Sequence, residues 1–212
     1  MARLYPQVKR AADTLAALAA LAVLWPVFAG IALAILLDTG RPVFFHQERA
    51  GRNGKRFSIL KFRTMIRGAE SSGLFTSEDD PRITRVGRFL RRWSLDELPQ
   101  LLNVLAGHMS LVGPRPTLPY QVERYDRRQR GRLLVRPGMT GLAQVRGRNA
   151  LSWTEKVELD LEYIENMSPW LDLRIILATP PALTRGNLYR DAGEWESDVI
   201  AGVGRRGTWA RR

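Results

Sequence analysis

Residues 15–37 read LAALAALAVLWPVFAGIALAILL, 23 positions without a charged side chain. As a straight helix at 1.5 Å per residue the run is about 35 Å long, enough to span the hydrocarbon core of a bilayer. A cleaved signal peptide fits poorly: its apolar core is typically about 7–15 residues, and no polar, small-residue cleavage region separates this run from Asp38. A buried core helix is the other reading. Arg3, Lys9 and Arg10 precede the run, and Arg41, Arg49, Arg52, Lys55 and Arg56 follow it. Both flanks are basic, so the positive-inside rule keeps both on the cytoplasmic face. Pro26, near the middle, removes a backbone hydrogen bond and clashes with the carbonyl four residues back, which bends the helix. Together these features predict a helix that enters the membrane, bends and returns; the competing reading is a bent single span.

The whole chain has 212 residues, with 33 Lys+Arg against 21 Asp+Glu and a formal charge of +12. That length supports one domain with a real core, and 45% hydrophobic residues argue against a disordered basic chain. The absence of cysteine excludes a disulfide scaffold, thiol chemistry and Cys-ligated zinc. Only His46 and His108 occur, too few for a His-rich metal site or for much imidazole acid–base work. Any catalysis therefore falls to carboxylates and arginines.

Beyond Gly40 the sequence VFFHQERAGRNGKRFSILKFRTM, residues 43–65, places two strand-forming stretches around Asn53-Gly54 and predicts a β-hairpin. Residues 70–80, ESSGLFTSEDD, read as a surface loop, 83–93 as a basic helix, and 107–116 as a short strand closed by a proline-braced turn. Arg136-Pro137-Gly138 opens a turn into a short strand through Val145, and near-helical apolar spacing returns in 120–134 and 152–167. Residues 170–183, WLDLRIILATPPAL, are too short to span; a core helix and a helix in the membrane interface both fit. The Gly- and Arg-rich stretch 185–212 is expected to be poorly ordered.

Ser94-Leu95-Asp96-Glu97 has the form of a capping box, in which Ser94 caps a helix and Glu97 reaches back to the Ser94 N–H. The same pattern admits a chemical role. Carboxylates in a first helical turn feel its positive end, which lowers their pKa, and an ionised Asp beside a phosphate-binding helix N-terminus can attack phosphorus. Pro99 points to a first turn that begins nearer Pro99 than Ser94. The basic company strengthens the chemical role: Lys61 and Arg63 in the hairpin, Arg115 between two prolines, Arg146 and Arg148 after a Gly-containing turn. All but four of the basic residues are Arg, whose planar fork suits bidentate phosphate contacts. The charge excess also suits anionic lipid headgroups.

The ordered set of motifs resembles the bacterial sugar transferase family of small monotopic phosphoglycosyl transferases. The resemblance runs through Lys9-Arg10, the apolar run, KFRTM (61–65), RVGRFLRRWSLDELPQLLNVLAGHMSLVGPRP (85–116), RPGMTGLAQVRGRN (136–149) and LDLEYI (159–164). It implies an α+β fold: an N-terminal re-entrant membrane helix (1–40), a small helix-rich catalytic domain with a β-hairpin and interfacial helices (41–184), and a tail (185–212). The implied reaction moves a sugar-1-phosphate from a UDP-sugar to polyprenol (undecaprenyl) phosphate and releases UMP, at the cytoplasmic face of the bacterial inner membrane. Such a step initiates glycoconjugate or exopolysaccharide assembly. By the same resemblance Asp96 is the nucleophile that forms a phosphosugar-aspartyl intermediate, Glu97 holds Mg2+ on the diphosphate, and Lys61, Arg115, Arg148 and Asp160 belong to the active site. Arg63 and Arg146 are added as substrate-binding candidates. The resemblance admits a homodimer and gives no role to nucleic acid. One departure is Trp25 before Pro26, where close relatives often carry Ser. Two rivals remain at this point: a basic membrane-anchored module that binds lipid or nucleic acid without catalysis, and a glycosyltransferase that transfers the sugar alone and leaves UDP.

Overall fold

A computed structural model of the chain describes residues 5–69, 80–147 and 150–184. The expected loop at 70–80, except for Asp80, the tail 185–212 and Arg148 lie outside the described residues. The long helix α1 is Tyr5–Thr39, with Pro26 inside it. Its inward residues, Asp13, Ala17, Leu21, Leu24, Phe28, Ile31 and Ile35, recur every three or four positions and form one stripe. Leu15, Leu18, Val23, Trp25, Val27, Leu33, Leu36 and Leu37 are exposed. Only 11% of its most apolar stretch is buried, so α1 is long and apolar and leaves most of that surface exposed.

Both ends of α1 are fastened to the same body. Near its start, Arg10 donates to the carbonyls of Val104 and Leu105, and Asp13 accepts from the buried Ser110 hydroxyl at 2.6 Å. Tyr5 and Lys9 both donate to Asp172. At the other end Arg63 donates to Thr39 Oγ1 and to the Gly40 carbonyl, each at 2.6 Å, supplying partners where a helix leaves its last carbonyls unpaired.

The predicted hairpin is present as β1 (Phe44–Ala50) and β2 (Arg56–Phe62), antiparallel, with Phe45 opposite Lys61 and Arg49 opposite Phe57. Asn53 and Gly54 have φ of +58° and +73°, which a short polar Asn tolerates and a Gly without Cβ adopts freely. The loop is longer than a two-residue turn, because a 3-10 turn at Arg52–Gly54 separates the strands. Then come α2 (Arg85–Arg92), capped by Thr84, a 3-10 turn at Leu95–Glu97, α3 (Gln100–Leu105), β3 (Ser110–Val112) and α4 (Pro119–Glu123). A 3-10 helix at Gln129–Leu134, β4 (Gly138–Thr140), α5 (Leu142–Arg146), α6 (Trp153–Glu165) and α7 (Pro169–Thr184) complete the described chain. The strand expected through Val145 ends at Thr140, since β4 pairs only with the three-residue β3, in parallel, before the chain turns into α5.

The architecture is α+β and rich in helix, as expected. Ala17 of α1 packs with Phe57 and Ile59 of the hairpin, Leu101 and Val104 of α3, and Met109. Ile31 and Ile35 pack with Phe62 and Leu90. Gly87 lets α2 approach the chain after β2 so closely that a Cβ there would lie 2.0 Å from the Thr64 carbonyl oxygen. Val112, Leu142, Tyr163 and Ile175 tie β3 to α5, α6 and α7. Helix α7 buries Ile175 and Ala182 but exposes Trp170, Leu173, Ile176 and Leu177, so it is not wholly a core helix.

Candidate active site

The capping box read at Ser94 does not form. Ser94 follows the end of α2 in the left-handed region, with φ of +53°, and its side chain caps nothing. The chain makes a 3-10 turn over Leu95–Glu97, and α3 starts only after Pro99, so Asp96 and Glu97 sit in that 3-10 turn and not in the first turn of an α-helix. Instead of reaching back to Ser94, the Glu97 carboxylate accepts at Oε1 from Lys61 Nζ at 2.7 Å and from Arg115 Nη2 at 2.6 Å, and at Oε2 from Arg115 Nη1 at 3.3 Å. Lys61 comes from β2 and Arg115 from the loop after β3, so three separate chain segments meet on one carboxylate.

Each partner is held by the fold. Asn103 of α3 lies along the outer edge of β2, accepting from Leu60 N–H at 2.9 Å and donating to the Ser58 carbonyl at 2.8 Å. A side chain thus completes the strand edge one residue before Lys61 and binds it to the helix that follows Glu97. In the Arg115 loop four successive carbonyls accept from three elements: Pro114 from Gly138 N–H of β4, Arg115 from Arg132 of the 3-10 helix, and Pro116 and Thr117 from Arg49 and Ala50 N–H of β1. The chain bends at Gly113–Pro114, and these hydrogen bonds from other elements hold the Arg115 backbone.

The two carboxyls behave differently. Burial pushes the Asp96 carboxyl up, with Glu97 adding to the rise and Lys61, Arg91 and Arg115 opposing it. The lowering expected from a helix N-terminus is thus overturned, because Asp96 is only 8% exposed and precedes α3. For Glu97 burial also acts upward, but the charges and hydrogen bonds of Arg115 and Lys61 outweigh it and hold the carboxyl well below the usual carboxylate range. Arg49 is a further cation that sequence reading placed only in a basic flank. Burial and neighbouring Arg115 lower its pKa to about 10, and Glu97 works against that shift. Strand alternation was the signal that could have found it: in the hairpin register Phe45, Gln47 and Arg49 alternate onto one face, the face that carries Lys61 opposite Phe45.

Not every expected residue joins this cluster. Asp96, Glu97, Lys61 and Arg115 come together. Arg63 turns away after β2 ends at Phe62 and serves the end of α1 instead. Arg146 reaches Glu162 at 3.3 Å on the exposed flank of α6. Asp160 is 1% exposed and pairs with Arg132 at 2.6 Å, so its carboxylate does not open onto the cluster.

Arg115 is half exposed and Glu97 and Lys61 are each 18% exposed, so charged groups are available to a ligand beside a mostly buried Asp96. Lys61, Arg49, Arg91 and Arg115 around two carboxyls leave a positive excess suited to phosphate oxygens. The donor set also fits a magnesium ion held jointly with a ligand. Among the described residues no cluster of three or more His, Cys, Asp or Glu could hold a metal alone, and magnesium characteristically uses one or two carboxylates with substrate phosphates and water. Glu97 Oε2, with a single long contact to Arg115, retains the open lone pair such an ion needs.

The family model described as bacterial sugar transferase matches residues 4–186. The chain is 41% identical over 197 residues to the exopolysaccharide production protein ExoY of Sinorhizobium fredii, covering 84% of this chain and 87% of that one. It is 50% identical over 145 residues to the uncharacterized sugar transferase EpsL of Bacillus subtilis, covering 68% and 71%. Against the UDP-glucose:undecaprenyl-phosphate glucose-1-phosphate transferase of Escherichia coli it is 45% identical over 182 residues, covering 81% of this chain but 39% of that longer protein. With the family model extending over most of the chain, and with the carboxylate pair of the SLDEL segment at the centre of the basic cluster, the protein belongs to the bacterial sugar transferase family.

Proposed function

We propose that the protein moves a sugar-1-phosphate from a UDP-sugar to undecaprenyl phosphate, releasing UMP, in two displacements at Asp96. In the first, an Asp96 carboxylate oxygen attacks the sugar-bearing phosphorus and the bond from that phosphorus to the bridging oxygen breaks, so UMP departs with the electron pair. In the second, a phosphate oxygen of undecaprenyl phosphate attacks the same phosphorus and expels the Asp96 carboxylate, giving the polyprenyl diphosphate sugar. Covalent catalysis of this kind divides one transfer into two easier ones. The observation that carries the reading is Glu97, Lys61 and Arg115 converging beside a buried Asp96. Lys61 and Arg115 bind the diphosphate oxygens, and burial keeps water from competing for the intermediate. Magnesium held by Glu97 supplies Lewis-acid stabilisation of charge on the diphosphate. The names of relatives that act on undecaprenyl phosphate support the acceptor.

In this reading residues 1–40 are the membrane anchor and 41–184 the catalytic body, on the cytoplasmic face of the inner membrane. A re-entrant α1 is supported by the attachment of both its ends to one body, since a full span would separate them by the bilayer thickness. Helix α7 lies in the interface, its exposed Trp170 at headgroup level beneath Arg174.

Two measurements test this. The detergent-purified chain, given a panel of UDP-sugars, is expected to turn over UMP repeatedly only when magnesium and polyprenol phosphate are both present, with no more than a single-turnover burst when the acceptor is withheld; UDP would mean transfer of the sugar alone, and binding without nucleotide release would favour a lipid- or nucleic-acid-binding module. In the cysteine-free background, Gln7→Cys and Arg52→Cys are expected to react with a membrane-impermeant thiol reagent from the same side, and reaction from opposite sides would replace the re-entrant helix with a span.

A further inference from the structure

Arg132 and Asp160 form a buried ion pair away from the reacting carboxylates. Arg132, in the 3-10 helix at Gln129–Leu134, and Asp160, on α6, have side chains 4% and 2% exposed and meet at 2.6 Å. The guanidinium stacks 5.0 Å from the Trp153 ring centroid and 5.8 Å from that of Tyr125. The apolar cluster of Tyr125, Trp153, Val157 and Leu161 already packs these elements together. Withdrawing two charges from water is costly, and apolar residues of similar size are often at least as stable. The pair is also imperfectly satisfied, with Arg132 Nε and Asp160 Oδ1 buried and lacking hydrogen-bond partners.

What an apolar pair could not do is donate hydrogen bonds. Arg132 Nη2 donates to the Arg115 carbonyl at 3.3 Å, and Nη1 donates at 2.7 Å to the Tyr125 hydroxyl, which in turn donates to Thr117 Oγ1 at 3.0 Å. Arg132 thus grips both ends of the Arg115–Thr117 segment, and Asp160 fixes the direction of the guanidinium. Building on the proposed role of Arg115 in binding the donor diphosphate, we propose that Arg132 and Asp160 are positioning residues that set the Arg115 backbone and, through it, the guanidinium on Glu97. Asp160 then serves the site from behind, without touching substrate.

The test is a double-mutant cycle on the full chain. Arg132→Met with Asp160→Leu is compared with the unmodified protein, and both are compared again in an Arg115→Ala background, with thermal midpoints measured alongside kcat and KM for the UDP-sugar. The expected result is a native-like midpoint, an about tenfold or greater loss of kcat/KM carried mainly by KM, and less than about twofold further loss when Arg115 is already absent. Equal fold losses in the two backgrounds would overturn the proposal. Should the double replacement not fold, Asp160→Asn takes its place in the same cycle, with the same two outcomes. Hydrogen exchange at the Gly138 and Ala50 amides, which bond to the Pro114 and Thr117 carbonyls, reads the clamp without turnover. If no donor yields nucleotide from the unmodified chain, the transfer reading fails by itself. Exchange accelerated about tenfold in the variant would then still support positioning, and unchanged exchange would overturn it.

Discussion

Asp96→Asn is expected to eliminate UMP release, by at least ~10³-fold or about 4 kcal/mol of transition-state stabilisation, while leaving fold and membrane attachment intact. The amide is nearly isosteric, so the packing around a side chain that is 8% exposed is preserved. It has no anionic oxygen with which to attack phosphorus, and no neighbouring carboxyl can substitute. Glu97, the adjacent one, is engaged by Lys61 and Arg115 and held far down the acid range, which makes it a weak nucleophile. Because burial raises Asp96, its carboxylate is the more basic and more nucleophilic of the two. The measurement is single-turnover nucleotide release with radiolabelled sugar, where the unmodified chain should retain label after denaturation and the variant should not. Turnover by a well-folded Asp96→Asn protein above a tenth of normal would eliminate the covalent mechanism.

Glu97→Gln is expected to cost at least ~10²-fold in kcat/KM and to raise the magnesium concentration for half-maximal activity by about tenfold. The carboxylate carries out two tasks with one charge. It neutralises Lys61 and Arg115 in a partly buried setting, and in the proposed reaction it supplies the anionic oxygen for the metal. An amide keeps the shape and loses both functions, leaving two cations with no anion of their own. The shift in magnesium dependence separates this role from that of Asp96, whose replacement should remove turnover at every magnesium concentration. A Glu97→Gln protein with near-normal activity and unchanged magnesium response would reduce Glu97 to a structural ion-pair partner.

The two Ser-x-x-Glu segments of this chain show how far local pattern carries. At Ser152 the box forms as the motif predicts: Ser152 Oγ accepts from Glu155 N–H at 3.2 Å, and Glu155 accepts from Ser152 N–H at 2.7 Å at the start of α6. At Ser94 the same spacing forms no box, because Ser94 ends α2 in a left-handed conformation and two distant cations claim Glu97. Nothing within four residues distinguishes the two cases. Pro99 was the readable hint, and α3 does begin just after it.

Arginine placement divides along the same line. Lys61 and Arg115 were identifiable by their company in ordered motifs, and Arg115 also by its two prolines. Arg63, two residues beyond Lys61, would share its face had the strand continued, but β2 stops at Phe62 and the side chain serves the end of α1. Arg49 and Arg132 carried no motif at all. One became visible through strand register and the other through a contact with Asp160 at a separation of 28 positions.

The sequence by itself determined the apolar helix, the Asn-Gly hairpin, the carboxylate pair and the family, because each rests on backbone conformation, periodicity or spacing within a short window. Tertiary structure alone decided which arginines face the carboxylates, which carboxyl stays low and which rises, and that Asp160 is buried against Arg132. A long flexible cation settles on whichever anion or carbonyl the distant chain brings within reach, and a carboxyl takes its pKa from the burial and charges that this same packing supplies.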